Sequence, residues 1–136
     1  MNWLVEMNKL ADEIRELEFK VAQTYREKGE AEKTISLWES EQLSQIAKEV
    51  NENGRKVFSN ERLRQAELER RKSESEEYRQ LVEIYQDILD ELSAARIELE
   101  HRRELLKNLR TWLRYQAVKA DDTVSLSPGK KLKRRL

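Results

Sequence analysis

Apolar and small side chains recur in steps of three and four along two long segments of this chain, and this spacing is the strongest constraint on its fold. Such steps bring side chains onto one face of an α-helix, and their persistence over several heptads is typical of a coiled coil. The first series is Trp3, Met7, Leu10, Ile14, Leu17, Val21, Thr24, Ala31, Ile35 and Trp38. The second is Leu81, Tyr85, Ile88, Leu92, Ala95, Leu99, Arg102, Leu106, Leu109, Leu113 and Gln116. We therefore predict two long amphipathic helices.

The segment between the two series contains the clearest helix break. Asn53-Gly54 is a strong turn signal, since both residue types accept a positive φ. Ser59 then has the position of an N-cap, where its hydroxyl would accept a hydrogen bond from an early backbone N–H of the second helix. The predicted elements are a helix over 3–50, a turn over 51–59 and a helix over 60–118. Gly29 falls inside the first helix, where it marks a bend, a close helix approach or a tolerated glycine.

The length of the helices predicts how they are arranged. At 1.5 Å per residue each would span about 70–90 Å, which is far too long for a globular domain of this mass. Charged residues make up 40% of the chain, and three Gly and one Pro leave few turns for a sheet. We predict an all-α fold in which residues 1–118 form an antiparallel two-helix coiled-coil hairpin. The alternative is a parallel dimer of one continuous helix, which the Asn-Gly break disfavours.

The second series is wider than a two-helix seam requires. Additional apolar residues lie beside it at Ile84, Leu89, Leu105 and Trp112. A wide stripe indicates more than two helices in contact, so we predict that the hairpin forms a homodimer, a helical bundle. After folding back, the two terminal tryptophans would pack on each other or form an exposed patch. The residues expected at the partner or dimer seam are Trp3, Trp38, Leu81, Ile88, Leu92, Leu99, Leu106, Leu109 and Trp112.

Positive charge is concentrated at the C-terminal end. Residues 1–101 carry 16 Lys and Arg against 24 Asp and Glu, and residues 102–136 carry 11 against 3, so the net charges are −8 and +8. Pro128-Gly129 stops helix propagation, and residues 119–136 are predicted to be a flexible basic tail. The residues expected to contact nucleic acid or an acidic partner are Arg102, Arg103, Lys107, Arg110, Arg114, Lys130, Lys131, Lys133, Arg134 and Arg135.

Two interpretations of these basic residues compete. In the first, the basic residues contact phosphates and release counterions, which would give salt-sensitive binding to nucleic acid without sequence preference. Alternatively, the helical arginines pair with first-helix carboxylates such as Glu6, Asp12 and Glu13, and the tail serves solubility. Arg102 and Lys28 occupy seam positions, where a charged residue weakens the core and specifies register or partner.

No catalytic constellation is present in the sequence, so we expect no enzyme, no catalytic residue, no cofactor and no metal site. The chain has no cysteine and a single histidine. Glu98 and His101 form one Glu-x-x-His pair, whereas di-iron bundles use the motif twice with further glutamates. A carboxylate metal enzyme that uses this single pair is a third hypothesis. No apolar run approaches the roughly 20 residues of a membrane span, and the N-terminus lacks signal-peptide features, which predicts a cytoplasmic protein without a membrane partner.

Residues 53–68 read Asn-Gly-Arg-Lys-Val-Phe-Ser-Asn-Glu-Arg-Leu-Arg-Gln-Ala-Glu-Leu. This segment resembles the linker of small coiled-coil proteins of bacteriophages and prophages, in which Gly-Lys-x-x-Ser-Asn-Glu joins two long helices. The resemblance covers residues 51–110 and departs at Val57, where the family often has proline, and at Arg62-Leu63. It implies a phage accessory protein linked to recombination or replication genes. Gam-type host-nuclease inhibitors share the helical-hairpin architecture alone.

These observations together predict a non-catalytic coiled-coil interaction or adaptor protein. It would present its helices to a protein partner, with the basic end near DNA or an acidic surface. The alternative is a nucleic-acid-binding protein or host-nuclease inhibitor that acts through the basic C-terminal end.

Overall fold

A computed structural model, which describes residues 2–125, is all-helical. Its elements are α1 (Trp3–Lys48), α2 (Glu61–Glu74) and α3 (Glu76–Ser125). The chain divides into two compact units, which are described separately below. The terminal unit comprises Met1–Phe19 and Arg96–Leu136, and the central unit comprises Lys20–Ala95. The basic tail residues Lys130, Lys131, Lys133, Arg134 and Arg135 lie outside the described residues.

The two apolar series predicted from the sequence form the packed faces of the helices. Every position in both series is buried or half-buried in the structure. In the terminal unit, Trp3 contacts Trp112 while Glu18 pairs with Arg103, so the first helix runs antiparallel to α3 within this unit. A seam of about two and a half heptads on α1 is thereby removed from water, which is the main favourable term for helices that have no deeper core.

The central unit contains a cluster of fully packed core residues. Trp38, Ile46 and Leu68 are buried together, and Phe58 and Tyr78 pack against them. The Trp38 and Tyr78 rings lie 4.7 Å apart between centroids. Aromatic side chains bury a large area each, so this cluster is where a thin helical protein gains most of its packing energy in this unit.

The connection between α1 and α2 is a small closed loop. The Asn51 side-chain oxygen accepts a hydrogen bond from the backbone N–H of Arg55 at 3.0 Å, and the Asn51 N–H donates to the Arg55 carbonyl at 2.7 Å. Val50 and Lys56 form an isolated antiparallel β-bridge. The loop's backbone groups are therefore satisfied locally, which holds the start of α2 beside the end of α1.

The N-cap of α2 is Asn60, and the prediction of Ser59 was wrong by one residue. The Asn60 side-chain oxygen accepts a hydrogen bond from the Leu63 N–H at 2.9 Å, and its own backbone is extended. Asparagine is at least as good an N-cap as serine, so the neighbouring residue takes the role once the loop geometry is fixed. Phe58 turns inward to the core cluster, and Leu63 stays exposed.

The second predicted helix, 60–118, is two helices in the structure, because the chain breaks at Ser75. The second of them, α3, continues to Ser125, so residues 119–125 are helical and the prediction that the tail begins at 119 was wrong. The Ser75 N–H donates to the Arg71 carbonyl as the C-cap of α2, and the Ser75 hydroxyl accepts from the Tyr78 N–H at 3.0 Å as the N-cap of α3. Serine at an N-cap followed by acidic residues, here Glu76 and Glu77, is a helix-start signal. The break occurs at the level of Trp38, where the apolar series on α1 also shifts.

A buried carboxylate of α2, Glu67, holds two arginines, one of which also reaches α1. Glu67 accepts hydrogen bonds from Arg70 at 2.6 and 2.9 Å and from Arg71 at 3.0 Å. Arg71 also donates to Gln42 of α1 at 3.4 Å and to Glu49, the residue after α1, at 2.6 Å, and Arg70 donates to Glu74 at 2.6 Å. The hydrogen bonds from Arg70, and then those from Arg71, lower the pKa of Glu67 from 4.5 to about 2. Charged partners on both sides thus stabilise a carboxylate that burial alone would destabilise.

We expect part of the stability to be lost in acid through Glu67. Its folded pKa lies below its unfolded pKa, so its contribution is complete above pH 4.5 and disappears as the pH falls toward 2. Glu67→Gln should lower the melting temperature at neutral pH. The difference in melting temperature between this variant and the native protein should become smaller as the pH falls from 4.5 toward 2. Glu83→Gln, at an exposed position inside α3, is the control and should leave the pH profile unchanged. A gap for Glu67→Gln that stays constant with pH would contradict the assignment.

The two described glycines should respond to alanine in opposite directions. A Cβ at Gly29 would meet no atom within 4 Å, so Gly29 is neither a close approach nor a turn, and Gly29→Ala should add about 0.5–1 kcal/mol of stability. Gly54 has φ 75°, the one positive φ among the described residues, and Gly54→Ala should cost about 1 kcal/mol. Urea unfolding of both variants measures the two changes, and equal signs would show that the backbone assignment is wrong.

Candidate interaction surface

The candidate functional residues fall on α3 of the terminal unit, and the first question is which of them are used internally. The Arg102 Nε lies 2.8 Å from a carboxylate oxygen of Glu13, and Arg103 pairs with Glu18 at 3.7 Å. The Arg102 Nε–H is not aligned on that oxygen for a hydrogen bond, so the contact is an ion pair across the seam. The interpretation that the helical arginines pair with first-helix carboxylates is therefore confirmed for Arg102.

The two terminal tryptophans pack on each other, which is one of the two arrangements that the sequence predicted. The Trp3 and Trp112 rings lie 4.2 Å apart between centroids at an interplanar angle of 44°. Beside them runs an open groove of about 390 Å³, lined by Trp3, Glu6, Leu10, Leu105 and Leu109. The pair closes the end of the seam, and Trp112 keeps part of its ring exposed beside the groove.

A second stripe of side chains on α3 carries no formal charge and stays exposed along its length, although Trp112 within it also touches Trp3. We call it the uncharged stripe, and its members follow steps of three and four like those of the seam. All six are exposed, Ile97 at 70% and Tyr115 at 61%. At about 100° per residue the stripe lies roughly 120° around the helix from the seam. Its members are Ile97, His101, Leu105, Asn108, Trp112 and Tyr115.

The remaining face of α3 carries a row of cations, defined here as the basic row: Arg103, Lys107, Arg110 and Arg114. Lys107, Arg110 and Arg114 are exposed and form no ion pair with any carboxylate in residues 2–125. The antiparallel register explains this for Arg110. Arg103 lies opposite Glu18, so Arg110, one heptad later on α3, lies opposite the uncharged Ala11, one heptad earlier on α1. The row lies roughly 100° from the seam and 140° from the uncharged stripe.

The predicted partner seam divides into internal and surface residues. Trp38 and Leu92 are buried within the central unit, where Leu81 packs against the core cluster and Ile88 is half-buried. In the terminal unit Leu99 and Leu106 are buried and Leu109 half-buried. These residues contact neighbouring helices of their own chain, whereas Trp112 of the same predicted seam is 40% exposed.

The candidate metal pair does not gather further ligands. Glu98 forms an ion pair with Arg102 at 3.5 Å, and His101 is exposed on the uncharged stripe. Within residues 2–125 no group of three or more His, Cys, Asp or Glu side chains is placed to hold a metal ion. In the same part of the chain no helix is long and apolar enough to cross a membrane.

The uncharged stripe is the surface that the sequence reasoning missed as a unit. Leu105 and Trp112 were recognised as widening the seam, while Ile97, Asn108 and Tyr115 were not connected with them. A signal was available, because six successive positions at helical spacing without Asp, Glu, Lys or Arg are unusual in a chain with 40% charged residues. The polar members Asn108 and His101 interrupt the apolar residues of the stripe, so apolar periodicity alone does not indicate it.

Comparison with known proteins found no matching family model, no matching curated protein and no matching solved structure. The functional argument therefore rests on the chemistry of the surfaces on α3.

The contact between the two tryptophans should be measurable as a coupling energy. Trp3→Ala, Trp112→Ala and the double variant form a cycle in which we expect about 0.5–1.5 kcal/mol of interaction, because offset aromatic pairs contribute beyond their buried area. Trp3→Ala combined with Tyr115→Ala is the control cycle, and its two effects should be additive. Additivity in both cycles, measured by chemical unfolding, would mean that the ring contact contributes nothing.

Proposed function

We propose that this chain is a non-catalytic helical interaction protein that forms a homodimer through the uncharged stripe. The antiparallel contacts within each unit support a coiled-coil hairpin as the scaffold. The observation that carries the proposal is an exposed row of Ile, Leu, Trp and Tyr side chains without a formal charge. Aromatic residues are enriched and charged residues depleted in the buried core of protein interfaces, which matches this composition.

A second copy of the chain fits the uncharged stripe better than an unrelated helix because the stripe complements itself. In an antiparallel pair centred between Leu105 and Asn108, Trp112 of each copy lies level with His101 of the other. Ile97 then lies level with the region of Tyr115, so a large ring meets a smaller side chain at each end. Two-fold symmetry of this kind is the commonest arrangement of soluble homodimers.

Charge also favours the antiparallel pair. In a parallel pair Glu98 and Glu104 of one copy would lie at the same heights as Glu98 and Glu104 of the other, so four carboxylates would gather at one end of the interface and repel each other. In the antiparallel pair Glu98 lies level with Tyr115, and Glu104 lies near Thr111 of the other copy. The polar members Asn108 and His101 would fix the register, as single polar residues do in coiled-coil seams.

The biological setting that we propose is that of a phage or prophage accessory protein in the cytoplasm, acting as an adaptor. The resemblance of residues 51–110 to phage coiled-coil proteins supports this setting. A dimer that joins two chains by α3 leaves the other faces of its helices for further partners, which is what an adaptor requires.

Disruption of the uncharged stripe should abolish dimerisation. A lysine on the stripe would be buried without a partner, so Ile97→Lys and Tyr115→Lys should each raise the dimer dissociation constant about tenfold or more in sedimentation equilibrium. The control is Phe19→Lys, which replaces a ring of similar exposure on α1, 66% against 61% for Tyr115, and should leave the constant unchanged. A native chain that is monomeric at all concentrations would refute the proposal.

The relative orientation of the two α3 helices in the dimer can be tested with introduced cysteines, because the chain has no cysteine of its own. Ile97→Cys and Tyr115→Cys proteins are prepared separately, mixed and oxidised. The antiparallel pair predicts a mixed disulfide between the two variants, whereas a parallel pair would cross-link each variant to itself. The products are distinguished by mass.

A further inference from the structure

We propose that the basic row on α3 is a contact surface for the phosphate backbone of a nucleic acid duplex. The inference goes beyond dimerisation and concerns a different face of the same helix. It assigns the binding to ordered helical residues, chiefly Lys107, Arg110 and Arg114. Phosphate contacts of this kind carry no sequence preference, since they do not read base edges.

The availability of the three cations is the first part of the argument. Arg102 and Arg103 pair with Glu13 and Glu18 of the first helix, whereas Lys107, Arg110 and Arg114 pair with no carboxylate whose side chain the structure describes. In a chain with equal numbers of acidic and basic residues, three neighbouring cations on one face without acidic partners leave a local positive potential. That potential attracts a polyanion.

The composition of the row distinguishes a nucleic acid from an acidic protein as the partner. Protein interfaces surround charged groups with apolar and aromatic anchors. Two of the three unpaired cations are arginine, whose planar guanidinium binds phosphate oxygens in a bidentate manner. The exposed aromatic residues of this segment, Trp112 and Tyr115, lie on the uncharged stripe instead.

The dimensions of the row also suit a duplex. From Lys107 to Arg114 the helix rises about 10 Å. A duplex carries one negative charge per about 1.7 Å of its axis, so a row of this length can meet several phosphates at once. Because the row lies roughly 140° around α3 from the uncharged stripe, a duplex and a second copy of the chain need not compete for the same face.

The experiment is a fluorescence-anisotropy titration of a short labelled duplex with the full chain over a series of salt concentrations, once with DNA and once with RNA. Lys107→Gln, Arg110→Gln and Arg114→Gln are combined in one variant. The slope of log K against log salt should become shallower by about 2–3, at roughly 0.9 for each phosphate that the variant no longer neutralises. The duplex that binds more tightly, DNA or RNA, identifies the natural ligand.

Two matched variants keep the inference falsifiable. Arg26→Gln, Lys33→Gln and Arg62→Gln together remove the same residue types from exposed positions elsewhere, and this variant should bind like the native chain. A second variant replaces Lys130, Lys131, Lys133, Arg134 and Arg135 by Gln and should retain the salt slope due to the row. The inference is overturned if the basic-row variant binds like the native chain, if binding disappears with the tail substitutions alone, or if polyglutamate binds as tightly as the duplex. Helicity by circular dichroism checks that each variant is folded.

Discussion

Within each unit, the packing of an apolar seam determines which other residues remain available. The a and d positions of antiparallel helices are buried or half-buried against each other, and the surrounding positions are left to water, ion pairs or partners. Most seam side chains of the described residues are only half-buried. Stability therefore depends on the regular spacing of the apolar positions, because the apolar area buried along each seam is small.

Polar side chains at or beside the seam determine its register. Arg102 occupies a seam position and pairs with Glu13, and Glu67 is buried between two arginines that also reach Glu49 and Glu74. Sliding one helix by a residue would separate Arg102 from Glu13 and Arg71 from Glu49 and leave these charges partly buried without their partners across the helices, which is unfavourable. The charged contacts thus make one alignment of otherwise similar heptads preferable to its neighbours.

The apolar series were predictable at the level of single residues, because their 3-4 spacing brings them onto one face of each helix. The prediction failed where local hydrogen bonding decides between neighbouring residues. Asn60 rather than Ser59 caps α2, and Ser75 ends one helix and starts the next although the flanking residues are good helix formers. Such choices depend on the positions of the loop and of Tyr78 in the folded protein, and helix propensity does not determine those positions.

The sequence by itself determined that the chain is helical, which positions of the two apolar series face a neighbouring helix, where the chain turns near Gly54 and that positive charge collects toward its end. Each of these follows from local periodicity or composition. The tertiary structure decided which charges remain available. Arg103 and Arg110 are equivalent in the heptad, yet one is paired and the other is not, because the first helix carries Glu18 opposite the former and Ala11 one heptad earlier. Pairing across helices depends on register between distant segments, and periodicity within one segment cannot specify it.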